Sequence, residues 1–146
     1  MTQWRSAAIV TMMLAAQAVA TTPPAAIRVV GDGVPEPVAD RGDASRGRAL
    51  IVKREAANCV LCHAVPDPGV RFAGNVGPSL AGVASRLSIA QLRLRVVDNM
   101  RVNASTVMPS YYKVDGLDRV AAQYSGKPVL SAQEIEDVVA WLGTLQ

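Results

Sequence analysis

One histidine and two cysteines are present among 146 residues. A single imidazole excludes any site built from several histidines, and two thiols exclude a scaffold stapled by multiple disulfides. Aromatic residues are nearly as scarce, at one Phe, two Trp and three Tyr, so little bulk is on hand to fill a core. Charge of one sign is thin too. The 15 Lys and Arg stand against 12 Asp and Glu, a formal net charge of +3. No basic run has the length that nucleic-acid or membrane-surface binding requires. Chain length favours one domain rather than two.

What is present begins with an export signal. Arg5 is the only charge before Arg28, and it is followed by an apolar stretch over residues 7–20 ending Ala18-Val19-Ala20. A positive start, a short apolar core and a small-x-small ending describe a secretory signal peptide over residues 1–20, with cleavage near Ala20. The stretch is shorter than the roughly 20 residues of a membrane span and runs into Thr21-Thr22-Pro23-Pro24, so an uncleaved N-terminal anchor is the weaker alternative. The expected location is the periplasm, with no membrane span after processing. Residues 21–42 are rich in Pro and Gly and lack helical periodicity, which predicts an extended arm, disordered alone or laid along a partner.

From Asp43 onward the pattern is helical, and residues 43–146 form the expected domain. Asp43 can cap a first helix carrying Gly47, Leu50 and Ile51. Ser88-Ile89-Ala90-Gln91 and Ser131-Ala132-Gln133-Glu134 are capping boxes. Behind the first, Ile89, Leu92, Val96 and Met100 recur at helical spacing, with Arg93, Arg95 and Asp98 expected to face water. Behind the second, Ile135, Val138, Val139 and Leu142 form a stripe beside Trp141. Residues 64–79 and 102–118 read as loops, and no alternating strand pattern or repeat occurs. The fold class is therefore all-α with long loops, which need something to pack against.

Both cysteines and the histidine fall in Cys59-Val60-Leu61-Cys62-His63, the C-x-x-C-H pattern of covalent haem attachment. Two intervening residues put both sulfurs on one side of a helical turn, where they can add to two vinyl groups on one porphyrin edge. His63 can then turn its ring toward the iron as proximal ligand. Three competing readings are weaker. Zinc lacks a fourth Cys or His ligand, a thioredoxin-like pair lacks its βαβ setting, and a Cys59–Cys62 disulfide closes too short a loop to stabilise much. One haem c also supplies the apolar centre that the aromatics do not.

With one histidine, the second axial ligand must be of another type, and the soft thioether of methionine suits haem iron. Met100 falls on the apolar stripe of the Ser88 helix, where methionine more often fills a core. Met108 falls in a loop and precedes Pro109, which fixes the local backbone. Met108 is therefore the expected ligand, and a loop methionine that covers the haem without binding iron is the alternative. Iron held by His63 and Met108 has no free position for substrate, which suits electron transfer.

The order of these features resembles the class I c-type cytochromes: a helix with Gly47, C-x-x-C-H, Gly77-Pro78-Ser79-Leu80-Ala81-Gly82, a Met-Pro loop and a final helix with Trp141. The resemblance implies their fold, helices wrapped around one covalently bound haem. It implies close crossing of the terminal helices at Gly47 and Trp141, and a hydrogen bond from His63 to the Pro78 carbonyl. Within that family the chain is similar to the sulfur-oxidation cytochromes of the SoxX type. The stretches that carry this likeness are 74–83, 92–98, 107–112 and 126–140. That likeness implies an electron-transfer subunit, non-catalytic alone, of a periplasmic SoxAX-type L-cysteine S-thiosulfotransferase. The complex couples thiosulfate oxidatively to a cysteine of a SoxYZ-type carrier protein. The implied partners are a second c-type cytochrome of the SoxA type, the transient carrier and a downstream electron acceptor. A free periplasmic monohaem carrier is the alternative.

Overall fold

The computed structural model describes residues 26–146. The expected signal peptide lies outside the described residues. Four α-helices follow in order: α1 (Ala44–Val52), α2 (Val83–Arg86), α3 (Ile89–Asp98) and α4 (Ala132–Leu142). Short 3-10 turns occur at Cys59–Leu61, Asn99–Arg101 and Ala122–Tyr124. Among the described residues there is no strand, and no helix is long and apolar enough to cross a membrane.

The helix starts lie where the capping residues place them. The Asp43 carboxylate accepts from the Arg46 amide at 2.8 Å. Ser88 and Gln91 close one capping box, and Ser131 and Glu134 close the other. Each box satisfies amides that an open helix end would leave unpaired. Ile51, Leu92, Val96, Ile135, Val138 and Leu142 are buried and form one core.

α1 crosses α4 at a point that permits no side chain. A methyl group on Gly47 would overlap the Asp137 carbonyl, and one on Gly42 would overlap that of Glu136. The Asp137 side chain fastens the same crossing. It accepts from the Asp43 amide at 2.8 Å, from Arg46 Nε at 2.7 Å and from Gln133 Nε2 at 3.1 Å. The Arg46 guanidinium beside it lowers its pKa to about 2. Trp141, one turn further along α4, is buried in the core.

The described part of the Pro/Gly-rich segment lies along this chain's own α3 and α4. After a tight turn at Val30–Gly33, Val34 is 1% exposed and its amide donates to the Ala90 carbonyl at 2.9 Å. The Val38 amide donates to Glu136 Oε1 at 3.0 Å. This cover corrects two expectations. Arg93 and Asp98 do not face water but are buried, Arg93 beneath the arm and Asp98 beneath the loop that follows α3. Arg93 forms an ion pair with Glu136, and Asp98 pairs with Ser110. Met100 also departs from the helical stripe. α3 ends at Asp98, and the following 3-10 turn swings Met100 outward.

Candidate functional site

Asn58, in the left-handed region at φ 56°, turns the chain into the 3-10 turn Cys59–Leu61. The amides of Cys62 and His63 both donate to the Cys59 carbonyl, at 3.1 and 2.9 Å. This winding brings Cys59, Cys62 and His63 to the wall of one cavity of about 640 Å³. The two cysteines are free thiols, and burial pushes that of Cys59 up to about 11. In the haem-free chain it is protonated at neutral pH.

The segment after the motif is laced onto it. Gly74, Gly77 and Leu80 donate their amides to the carbonyls of Val60, Cys62 and Ala64 at 2.8–2.9 Å. A methyl group on Gly77 would overlap the His63 ring, and one on Gly74 the Leu61 carbonyl. His63 Nδ1 lies 2.7 Å from the Pro78 carbonyl. A carbonyl only accepts, so Nδ1 carries the proton and Nε2 keeps its lone pair free for a metal. Arg86 braces this segment, donating to the Ala81 carbonyl at 2.7 Å and the Ser79 carbonyl at 2.9 Å. Nothing in the sequence pattern marked Arg86 for this task, because its partners are main-chain atoms five and seven residues back.

Met108 and Pro109 reach the same cavity from the loop after α3. The Tyr111 hydroxyl donates to the Ala57 carbonyl at 2.7 Å and so ties this loop to the chain just before Cys59. Burial raises the Tyr111 pKa, so its phenol stays neutral. The structure thus brings Cys59, Cys62, His63, Pro78 and Met108 together around one space. It does not bring Met100 there.

The remaining wall is mostly aliphatic, with Ile51, Leu80, Val83, Leu92, Val138 and Leu142. Arg86 and Arg95 are the cations that line it. Among the described residues there is no group of three His, Cys, Asp or Glu placed to hold a metal ion by themselves. Two free thiols beside an imidazole with one nitrogen already committed, a thioether and an apolar space of this size suit a porphyrin.

Comparison with known proteins agrees. The family model described as cytochrome c matches residues 44–146. A chain in the crystal structure of SoxXA from P. pantotrophus is 37% identical, covers 85% of this chain and 97% of its own, and superposes with a TM-score of 0.77. A cytochrome c-553-like protein of Synechocystis is 41% identical over 64 residues, 44% of this chain. The match spans 52% of that relative, so this chain covers about half of its length. The chain belongs to the cytochrome c family as a class I c-type cytochrome close to SoxX, with one covalently bound haem c.

Proposed function

We propose that this cytochrome is the electron-transfer subunit of a periplasmic, SoxAX-type complex that couples thiosulfate oxidatively to a cysteine on a carrier protein. The observation that carries the reading is the similarity to a chain of SoxXA over 97% of that chain. The cysteine inventory supports it. Both thiols belong to the haem motif, so no third one remains to carry a persulfide, and the sulfur chemistry falls to the partner. Export supports it as well, through the expected signal peptide cleaved near Ala20.

The residues divide the work as follows. Cys59 and Cys62 would hold the haem through thioether bonds. His63 would bind the iron through Nε2, its ring fixed by the Pro78 carbonyl on one nitrogen and by the flat space over Gly77. Met108 would supply the second protein ligand to the iron. The bound haem supplies a one-electron couple, ferric to ferrous. A thioether partner for His63 favours the ferrous form and raises the potential. The aliphatic wall would exclude water, and two protein ligands would keep thiosulfate off the iron.

The test is co-purification. The tagged mature chain is drawn from its host grown on thiosulfate, and the eluate is stained for haem after electrophoresis. A second haem-bearing band of the SoxA type is expected, with an N-terminus processed near Ala20 by sequencing. A lone band would instead identify a free periplasmic carrier.

A further inference from the structure

Met108 is partly buried and packs against the core, but the residues on either side of it do not. Val107 is 81% exposed, and Pro109 is exposed on the other side. Neither neighbour is anchored in the core, so contacts further along the loop add to the hold on the sulfur. Two hydroxyls flank it symmetrically, Thr106 two residues before and Ser110 two residues after. Both are gripped from the C-terminal end of α3. Asn99 Nδ2 donates to Thr106 Oγ1 at 2.7 Å, and the same oxygen accepts from the Met108 amide at 3.1 Å. Ser110 Oγ donates to Asp98 Oδ1 at 2.7 Å in a buried contact.

The Asp98 carboxylate is itself secured. It is 6% exposed, and Oδ2 faces Arg101 Nε at 3.6 Å and Lys113 Nζ at 3.9 Å. The Tyr111 and Tyr112 amides continue the attachment with bonds to the Val96 and Val97 carbonyls at 3.2 and 3.3 Å. α3 is in turn fixed by its own capping box. A rigid helix end therefore holds the loop on both sides of one methionine.

We infer that Asp98 and Asn99 are positioning residues for Met108, keeping its thioether on the haem iron by gripping the hydroxyls of Ser110 and Thr106. The inference rests on Met108 being the axial ligand. A neutral thioether is a weak partner for ferric iron, so its hold depends on how little freedom the loop has to leave. Releasing either hydroxyl makes the sulfur easier to displace.

The experiment titrates the ferric, haem-loaded protein with imidazole, which must displace the thioether, and follows loss of the thioether-to-iron charge-transfer band. Ser110→Ala and Asn99→Ala should each raise the imidazole association constant by about tenfold, the scale of one lost hydrogen bond to a charged or buried group. Adding Ser110→Ala to Asp98→Ala should have no further effect, since the bond it removes is already lost. If Asp98→Ala does not fold, Ser110→Ala, which loses a single hydroxyl, still decides. Arg46→Gln, which loosens the distant α1–α4 crossing, should leave imidazole binding unchanged. Unaltered imidazole binding in Ser110→Ala and Asn99→Ala, with the band absent in Met108→Leu, would overturn the positioning role alone. A band that survives in Met108→Leu would remove the axial reading and this inference with it.

Discussion

Arg93 and Glu136 form a two-pronged ion pair closed off from water, Nε to Oε1 at 2.7 Å and Nη2 to Oε2 at 2.9 Å. The third nitrogen, Nη1, donates to the Val34 carbonyl at 2.7 Å, and Oε1 also accepts from the Val38 amide. One pair thus joins α3, α4 and the N-terminal arm. Burying charge is costly unless every group is matched, and here the matching is supplied by the arm's main chain.

Removing either partner should therefore be expensive. Arg93→Ala or Glu136→Ala leaves its counterpart buried and unpaired, and should lower stability by about 3–5 kcal/mol. The double variant Arg93→Met, Glu136→Leu should recover part of that loss, because no charge is then stranded. Urea unfolding of the haem-loaded proteins measures both, and equal losses in single and double variants would contradict the account.

Gly47→Ala sets helix propensity against packing. Alanine favours a helix interior by roughly 1 kcal/mol over glycine. Its methyl group would overlap the Asp137 carbonyl, so α1 and α4 must part. The overlap should win, with a net loss of about 2 kcal/mol. A stabilised variant in thermal unfolding would show that the crossing can relax.

The acid limb of stability should carry the mark of Asp137. Its pKa is lowered to about 2, first through the hydrogen bond from Arg46, against an ordinary 3.8. A carboxyl depressed on folding stabilises the folded chain fully above its unfolded value. That contribution fades as pH falls from the ordinary value toward 2. Because Arg46 is more than half exposed, solvent screening reduces the effect to about 1 kcal/mol. Asp137→Asn should flatten stability over that window, measured by denaturant titration between pH 5 and 2, values chosen to bracket the two pKa values.

Gly77→Ala should disturb the iron more than the fold. The added methyl group overlaps the His63 ring, which cannot then lie flat on the backbone while keeping its bond to Pro78. The expected result is a chain with native helix content by circular dichroism but weakened axial histidine signals in its absorption and resonance spectra. An unchanged spectrum would mean that the loop yields instead.

Haem attachment should also decide whether the chain folds. The Cys59→Ala, Cys62→Ala variant keeps the aliphatic wall but loses the covalent hold on the group that fills a 640 Å³ interior space. It should show no cooperative thermal transition in calorimetry. A sharp, native-like transition would mean that the helices pack without a porphyrin.

Much of this was legible in the sequence because the signals were local. Asp43, Ser88 and Ser131 mark helix starts through bonds to amides three residues away, and the spacing of Cys59, Cys62 and His63 is complete within one turn. What was illegible depended on distant cover. Arg93 reads as a solvated position until the arm at Val34 and the carboxylate of Glu136 close over it. Met100 reads as the next residue of a stripe until the helix tightens at Asn99. The brace from Arg86 to Ser79 and Ala81 joins a short helix to a loop, and neither periodicity nor capping announces it.

Both sulfhydryl groups of the chain lie at the cavity wall and would be consumed by thioether attachment of the porphyrin. The finished molecule would then have no thiol left for disulfides or polysulfides to capture. It can work beside them without being capped or cross-linked.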